Sequence, residues 1–433
     1  MKVLIISPHF PPQNAADMQR VRTSLPYFKE FGWDAEVVTV DESYSPLPTD
    51  HLLLQTVPDY IKVHKVKALN RKWTSKLGLG SLALRSLWFF YAKVNRLLKQ
   101  TRFDLMYFST TQFPVCVLGA YWKKRFGIPY VIDMQDPWHS EYYQDKPKEQ
   151  RPPKYWFSYR LNKMLEPIAL KHADGLIAVS ANYIYNLKTR YPEIKAIPAD
   201  TITFGAFAPD LAIALKHEHS FEPLLSKNHI NIVYVGRGGY DMHKAIRPVL
   251  EVFKQLLLQN EDLYGKLKFY FIGTSYAPAG QGKPTILPLA QELGVQQSVV
   301  EVTNRISYFH TLATLQQAHA LFIAGSDDPD YTASKIYPYL LSKKPLLAVF
   351  NEKSSAVGII KQSAPKASVY TIPANDAATQ AGIGALLSAW VQGSFDPVET
   401  TPEFEKYSAK QSTLKQVELF AGVLKSKQEV KSI

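Results

Sequence analysis

The sequence predicts an α/β protein made of two Rossmann-like domains, each built on a parallel sheet. Short apolar or β-branched runs that end in small or polar residues alternate with amphipathic helical segments, a pattern typical of parallel sheets with right-handed crossovers. These runs fall into two series, separated by a polar stretch at 211–229. With 433 residues, of which 46% are hydrophobic and 20% are charged, the chain can bury more than one core.

Ten strands are expected, five in each series. In the first series they cover 2–7, 34–40, 105–110, 129–134 and 175–180. In the second series they cover 230–236, 268–273, 299–303, 320–325 and 345–350. A last amphipathic helix is expected over about 402–425. We therefore place an N-terminal domain at 1–225, a second domain at 226–400 and a C-terminal helix and tail at 401–433.

The composition is that of an ordinary globular protein of a reducing compartment. The apolar run after Met1 has no basic segment before it and no small-residue cleavage site after it, so no secretion signal is predicted. The most apolar helical stretch, 81–94, contains Arg85 and Lys93, which argues against a membrane span. The single cysteine, Cys116, lies among apolar neighbours and is expected to be a buried thiol. These features predict a cytoplasmic protein.

Most of the net charge of +12 lies in one segment. From Lys62 to Arg102 the chain has no Asp or Glu and eleven basic residues: Lys62, Lys65, Lys67, Arg71, Lys72, Lys76, Arg85, Lys93, Arg96, Lys99 and Arg102. A helical wheel over 84–99 places two sets on opposite faces: Leu84, Leu87, Trp88, Tyr91, Val94 and Leu98 on one, Arg85, Lys93, Arg96, Lys99 and Phe89 on the other. The basic face is either the solvated back of a core helix or a surface that rests on the anionic inner face of a membrane. No nucleic-acid-binding motif is present, and no such partner is expected.

Ligands of doubly wound sheets bind beyond the carboxyl ends of the strands, so the residues that follow each strand are the candidates for chemistry. The most informative such stretch is "VYVGRGGYDMHK" at 233–244. Its glycines, Gly236, Gly238 and Gly239, allow the backbone to approach a ligand closely, and Arg237 and Lys244 supply cations that can neutralise a diphosphate. The alternative is a plain glycine-rich turn.

A second strand exit, "SDDPDYTASKIYPYLL" at 326–341, leads into a helix expected to begin near Lys335. Thr332 or Ser334 can cap this helix, which would leave backbone N–H groups aimed at an anion. Asp330 could then accept hydrogen bonds from sugar hydroxyls. The alternative for Asp330 is a simple loop acid.

The order of "PHFPPQNAADMQRVR", "PYVIDMQDPW", "ADGLIAVS", "IVYVGRGG…K" and "DPDYTASKIYPYLLSKKPLLA" resembles the large family of retaining nucleotide-sugar glycosyltransferases with the GT-B fold, the family 4-like enzymes of bacterial surface polysaccharides. The resemblance implies two Rossmann-like domains whose sheets face a central cleft, with the C-terminal helix returning to the N-terminal domain. It also implies that Arg237 and Lys244 hold the donor diphosphate and that Asp330 meets the transferred sugar. The further residues that it implies are Gly273, Arg305 and Ile306 at the base, Tyr331, Thr332, Ser334 and Lys335 on the donor, and Asn14, Ala15, Ala16 and Arg20 on the acceptor side.

Three departures from the family pattern affect these expectations. Pro338 stands where the family has its second Glu, a ribose ligand, and Ala15-Ala16 stands where it has Gly-Gly. Gln135-Asp136 replaces a His-Asp pair, with His139 three residues later. Asp136 or His139 could stabilise charge or handle a proton on the acceptor side, while a loop carboxylate and a surface histidine are the alternatives.

The resemblance thus implies a glycosyltransferase that moves a hexosyl group, with retention, from a nucleotide diphosphate sugar to a glycan or lipid-linked acceptor. No metal or other cofactor is expected, because Arg237 and Lys244 can stabilise the leaving diphosphate. One alternative is a metal clamp at "SDDPD", since hard cations favour oxygen ligands. The other is a non-catalytic nucleotide-sugar-binding subunit of an assembly complex, which the departures from the family pattern would suit.

Overall fold

The computed structural model describes residues 1–74, 80–141, 144, 155–278, 280–328 and 335–431, without the side chains of 427–431. The chain forms two compact units. Unit 1 comprises Met1–Gly205 and Ala409–Ile433, and unit 2 comprises Ala206–Ser408.

Each unit contains one parallel sheet. In unit 1 the order is β3-β2-β1-β4-β5-β6-β7, and in unit 2 it is β10-β9-β8-β11-β12-β13. The unit 1 strands are β1 (Lys2–Ile6), β2 (Asp34–Val40), β3 (Lys62–Val66), β4 (Leu105–Ser109), β5 (Tyr130–Met134), β6 (Gly175–Ala178) and β7 (Ala199–Thr201). The unit 2 strands are β8 (Ile230–Val235), β9 (Leu267–Ile272), β10 (Val299–Val302), β11 (Ala320–Ala324), β12 (Leu346–Asn351) and β13 (Ser368–Ile372).

Helices connect the strands, and their ends follow local sequence signals. The Ser81 hydroxyl caps one helix by accepting the Leu84 N–H at 3.3 Å, and Gly127 ends another with a left-handed φ of 71°. The helices are α1 (Gln19–Phe28), α2 (Arg71–Thr74), α3 (Leu82–Gln100), α4 (Val117–Phe126), α5 (Tyr155–Leu170), α6 (Ala181–Arg190), α7 (Ala208–Lys216), α8 (His243–Gln259), α9 (Glu261–Tyr264), α10 (Leu287–Leu293), α11 (Tyr308–Gln317), α12 (Ile336–Leu341), α13 (Ser355–Ser363), α14 (Ala377–Val391) and α15 (Ala409–Lys431).

Alternate side chains of each strand enter different cores, so the sheets are covered on both faces. In β1, Leu4 and Ile6 pack with α3 and α4, whereas Val3 and Ile5 pack with α1 and α15. The unit 2 sheet is likewise packed between two apolar clusters. This arrangement confirms the predicted class of two parallel-sheet α/β domains.

All ten predicted strands are present, and three further strands were missed. The missed strands, β3, β7 and β13, lie at sheet edges. Their residues are mostly half-buried or exposed, because an edge strand has a neighbour on one side only. Without a continuous apolar run, these strands give little signal in the sequence.

The first boundary between the units falls after Gly205, whereas the sequence placed it after residue 225. The segment in between contains α7, which packs on α11 of unit 2. Asp210 of α7 is fully buried and accepts a hydrogen bond from the Tyr308 hydroxyl at 2.9 Å. Burial of Asp210 against Tyr308 explains why the "polar" stretch belongs to unit 2.

The last helix, α15, returns to the N-terminal unit as the resemblance implied. It packs along α1, and its Phe420 contacts three aromatic residues of unit 1 with ring centroids 5.0 to 6.4 Å apart: Phe28, Trp33 and Tyr107. This aromatic cluster fixes the end of the chain to the first sheet.

The predicted orientation of α3 was right for Val94 and Leu98, which are buried, but wrong for Arg85 and Trp88. Arg85, placed on the basic face, is buried and donates to the carbonyls of Leu69 and Tyr44 at 2.7 and 2.9 Å. Trp88, placed on the core face, is 69% exposed. The helix buries the side that carries Phe90 and Val94, because the long Arg85 side chain can satisfy backbone carbonyls inside the protein. Arg96 and Lys99 remain exposed.

No helix in the described part of the chain is long and apolar enough to span a membrane. The buried thiol predicted for Cys116 is confirmed, and burial raises its pKa well above the ordinary range.

Candidate active site

In unit 2 the glycine-rich segment after β8 forms a loop that pairs with the segment after β9. The N–H of Gly236 donates to the Ile272 carbonyl at 2.9 Å, and the N–H of Gly238 donates to the Thr274 carbonyl at 2.8 Å. A Cβ added at Gly238 would lie 2.9 Å from both Thr274 Cβ and Thr285 Oγ1. The close approach of the two loops therefore requires glycine at this position.

Arg237 and Lys244, predicted to hold a diphosphate, both lie at this loop and both contact carboxylates. One guanidinium nitrogen of Arg237 lies 3.0 Å from Asp241 Oδ1, and Lys244 Nζ lies 3.0 Å from Asp327 Oδ2. Burial opposes ionisation of Asp241, but hydrogen bonds from Arg237 and from the Ser326 hydroxyl lower its pKa. The two cations are thus positioned by acids that come from the ends of β8 and β11.

Gly239 is part of the same arrangement. A Cβ at Gly239 would meet Asp241 Oδ1 and lie 3.1 Å from the Arg237 guanidinium. Glycine at this position leaves room for the Arg237–Asp241 ion pair.

Lys335 completes the group of cations. A Cβ added at Gly236 would lie 2.6 Å from Lys335 Nζ, so the amine packs directly against the Gly236 backbone. Burial, together with the charges of Arg237 and Arg305, lowers the pKa of Lys335 to about 8. Within the part of the chain that the structure describes, no carboxylate pairs with Lys335. The positive charges of Lys335, Arg237 and Arg305 therefore lie close enough to interact, and together they would stabilise a bound anion.

The position of Lys335 is set by α12, which begins at the next residue. The Tyr339 hydroxyl accepts the Val235 N–H at 2.8 Å and donates to the Val235 carbonyl at 3.2 Å. This double contact ties α12 to the end of β8. Because α12 has only six residues, Lys335 itself supplies most of the positive charge here.

Arg305, Gly273 and Ile306 lie together at the ends of β9 and β10. Gly273 has a φ of 74°, and a Cβ there would lie 3.7 Å from Arg305 Cα. The Arg305 guanidinium lies over the Tyr276 ring at 5.2 Å, and Tyr276 is 69% exposed. Ile306 packs beside the unit 2 core. Tyr276 was not among the residues predicted from the sequence.

Four predicted donor residues, Asp330, Tyr331, Thr332 and Ser334, lie outside the described residues. Pro338 is half-buried in α12, where its carbonyl accepts hydrogen bonds from the Ser342 N–H and hydroxyl. Pro338 thus contributes to the helix end and offers no side-chain acceptor for ribose.

In unit 1 the ends of β1 and β4 meet at Asp17, which the sequence reading did not single out. Its carboxylate contacts His9 Nδ1 at 3.0 Å and accepts hydrogen bonds from the hydroxyls of Thr110 and Thr111 at 2.9 and 3.1 Å. The Thr111 N–H donates to the same carboxylate at 3.1 Å. Burial opposes ionisation, but His9 and the two threonines lower the pKa of Asp17. Asp17 therefore holds the loop after β4 in one conformation.

Arg20, predicted on the acceptor side, is instead buried beneath these loops. Its Nε lies 2.6 Å from Asp133 Oδ2, and its two terminal nitrogens donate to the carbonyls of Ile202 and Thr203. Its contacts are those of a structural ion pair.

Asn14, Ala15 and Ala16 lie in the loop after β1. The Asn14 N–H donates to the Pro48 carbonyl at 2.9 Å, Ala15 is buried, and Ala16 is exposed. The backbone of this loop is thus fixed by the segment that follows β2.

Asp136 and His139 have different surroundings. Asp136 lies at the edge of a cavity and is exposed on one side. Partial desolvation and, to a smaller extent, the negative charge of Asp17 raise its pKa. His139 is buried, its ring packs on Tyr159 with centroids 4.8 Å apart, and its backbone N–H donates to Glu166 Oε2 at 2.8 Å. Burial lowers the pKa of His139. Of the two, Asp136 is the one placed to meet a ligand.

No group of His, Cys, Asp or Glu suited to a metal ion occurs among the described residues, which exclude the last two residues of "SDDPD".

Comparison with known proteins agrees with this arrangement. Residues 19–190 match the family model of the glycosyl transferase 4-like domain. No curated protein matches the sequence at the significance required. Solved structures match nearly the whole chain at low sequence identity.

The N-terminal domain of Candida albicans trehalose-6-phosphate phosphatase is 12% identical, with 97% of each chain covered and a TM-score of 0.58. Anabaena HepE, solved in complex with UDP, is 14% identical over 97% of this chain and 100% of that chain, with a TM-score of 0.52. A mutant of Staphylococcus aureus TarM, solved with fondaparinux, alpha-GlcNAc-glycerol and UDP, is 11% identical over 97% and 99%, with a TM-score of 0.52.

The two parallel-sheet units and these neighbours define the class: the chain has the GT-B fold of glycosyltransferases. Residues 19–190, the part of the chain that matches the glycosyl transferase 4-like domain model, lie in unit 1.

Proposed function

We propose that the protein is a glycosyltransferase that uses a nucleoside diphosphate sugar as its donor and transfers the hexosyl group with retention to a glycan or lipid-linked acceptor. The observation that carries this proposal is the buried amine of Lys335 against the Gly236 backbone, close enough to Arg237 and Arg305 for their charges to lower its pKa. Cleavage of the bond between sugar and diphosphate builds negative charge on the leaving oxygen. Fixed cations stabilise this charge without reorganisation during the reaction, and Lys335 is poised to do so.

The donor screen that tests this proposal uses thermal shift with nucleotide sugars that differ in their base. A ligand that binds only the native state raises the unfolding temperature by mass action. UDP-sugars come first, because HepE and TarM were solved with UDP. We expect stabilisation by at least one nucleotide sugar and transfer to an acceptor. Stabilisation without any transfer or donor hydrolysis would favour the alternative, a non-catalytic nucleotide-sugar-binding subunit.

The lowered pKa of Lys335 predicts how donor affinity depends on pH. Below pH 8 most of the free protein carries Lys335 as the ammonium, and a bound diphosphate should raise the pKa of Lys335 back above 8. As pH rises above about 8, binding must first protonate the amine, so affinity should fall by up to about tenfold per pH unit. Calorimetric titration between pH 6.5 and 9.5 measures this. A donor affinity that does not change between pH 6.5 and 9.5 would contradict the assignment of Lys335 to the diphosphate site.

Removal of divalent metal should leave activity intact, because Lys335, Arg237 and Arg305 can supply the positive charge that would stabilise the leaving diphosphate. We expect the turnover rate with EDTA to stay within about twofold of the rate with added Mg²⁺, since metal-assisted stabilisation would be worth several kcal/mol. Complete loss on chelation, restored by metal, would support the metal clamp at "SDDPD" instead.

We also propose that unit 1 contacts an anionic membrane surface. Trp88 is exposed and stacks on Tyr91, and Arg96 and Lys99 lie on the exposed side of the same helix. Some cations of the 62–102 segment are already paired, for example Lys65 with Glu42 at 2.6 Å. Lys76 lies outside the described residues. Aromatic side chains next to exposed cations favour binding at the interface of anionic lipid.

Changing Lys93, Arg96 and Lys99 to Gln should reduce binding to phosphatidylglycerol-containing liposomes at low salt. Each cation near such a surface contributes roughly 1 kcal/mol, so the expected loss is on the order of 100-fold. A matched control changes three exposed lysines of unit 2: Lys254, Lys266 and Lys361. If both triple variants bind these liposomes equally well in a sedimentation assay, the basic side of α3 is not a specific membrane-binding surface.

A further inference from the structure

Unit 1 contains a cavity of about 560 Å³, and none of the described residues of the donor site lines it. It lies where the loops after β4 and β5 meet the starts of α3 and α5. Its volume is within the range of small-molecule sites, roughly 300–1,000 Å³. Its described lining comprises Gly80, Ser81, Leu84, Thr111, Gln112, Phe113, Pro114, Asp136, Pro137, Trp138, Phe157, Ser158, Leu161 and Asn162.

One wall of the cavity is aromatic and rigid. The rings of Phe113 and Trp138 stack with centroids 5.4 Å apart, and both residues are 5% exposed. Trp138 Nε1 donates to Asn162 Oδ1 at 3.2 Å, which fixes the indole against α5. Thr111 is fixed by its hydrogen bonds to Asp17. The cavity is therefore preformed in the absence of a ligand.

The second feature of the cavity is one acidic side chain, that of Asp136. Among the described lining residues, Asp136 is the only one with an ionisable acid or base, and desolvation and the charge of Asp17 raise its pKa. A carboxylate accepts hydrogen bonds from hydroxyl groups and repels phosphates. Amide and hydroxyl groups from Gln112, Ser158 and Asn162 add neutral donors and acceptors.

We propose that this cavity binds a neutral saccharide unit of the acceptor, and that it excludes phosphorylated sugars. An uncharged sugar ring offers hydroxyls to Asp136 and an apolar C–H face to the aromatic wall. This inference rests on the proposed glycosyltransferase function for the identity of the ligand as acceptor. Asp136 acts here by binding a hydroxyl, and the Phe113–Trp138 pair selects the ring face.

The test is saturation-transfer NMR with a panel of methyl hexosides and methyl N-acetylhexosaminides, each compared with the corresponding 6-phosphate. We expect at least one neutral glycoside to bind, with its phosphate at least tenfold weaker. Leu161→Trp should abolish binding by filling the cavity, and Asp136→Asn should weaken it by about tenfold. Ile168→Trp, at an exposed position of the same helix, is the matched control and should bind as the wild type does.

Binding of UDP-glucose and other nucleotide sugars is measured in parallel, because it depends on unit 2. Nucleotide-sugar binding without glycoside binding, or preferred binding of the 6-phosphates, would overturn the inference and leave the proposed function standing. Unchanged glycoside binding in Leu161→Trp would also overturn it, since the ligand would then lie elsewhere. Glycoside binding without any nucleotide-sugar binding would support the cavity as a saccharide site and contradict the proposed function.

Discussion

Replacing Lys335 with Met should weaken donor binding by roughly 10- to 150-fold, because the change removes a charge-assisted contact worth about 1.5–3 kcal/mol. Lys335 is largely buried against the Gly236 backbone, and Met keeps most of its apolar stem in place. Lys244 is 65% exposed and already paired with Asp327, so Lys244→Ala should have a smaller effect. Arg237→Ala should fall between the two, and leaves Asp241 without its guanidinium.

Calorimetric titration with the best nucleotide sugar measures this order. Lys254→Met, at an exposed position of α8, is the matched control and should leave donor affinity unchanged. If Lys335→Met binds the donor as tightly as the wild type does, the cation cluster is not the diphosphate site.

A second large effect is expected on stability. Arg20→Leu should lower the free energy of unfolding by about 3–5 kcal/mol, because it leaves the Asp133 carboxylate buried without its cation. Both side chains are almost fully buried, at 2% and 0% exposure. Loss of the hydrogen bonds to the carbonyls of Ile202 and Thr203 adds to the cost.

The double variant Arg20→Leu with Asp133→Asn separates the ion pair from packing. Removal of the buried charge should recover part of the loss in urea unfolding, since Asn can still bond to Ser109 and Gln135. Arg96→Leu, at an exposed site on α3, should change stability by less than about 0.5 kcal/mol. A loss below about 1 kcal/mol for Arg20→Leu would show that the pair is not structural.

The strands that could be predicted from the sequence are those with a continuous apolar run, and the missed strands are sheet edges. The cations at the β8 exit could also be predicted, because glycine, arginine and lysine lie close together in the sequence. The position of Lys335 beside Gly236 could not be predicted. About a hundred residues separate them, and the Tyr339 contacts with Val235 bring them together.

Side-chain burial was the least predictable property. Arg20 and Arg85 were expected near ligand or solvent, since arginine is mostly exposed. Both are buried, because each guanidinium reaches backbone carbonyls, and Arg20 also reaches Asp133. The cavity beside Asp136 is formed by segments from four parts of the chain, and no local pattern marks it.

The most direct test of the central claim is proton uptake when a nucleotide sugar binds at pH 8. At this pH about half of the free protein carries a neutral Lys335, and a diphosphate bound at the cation cluster should return it to the ammonium form. Calorimetric titrations in buffers of different ionisation enthalpy measure the number of protons taken up. The account predicts an uptake of up to about half a proton by the wild type and none by Lys335→Met. Donor binding without proton uptake, or the same uptake in Lys335→Met, would contradict it.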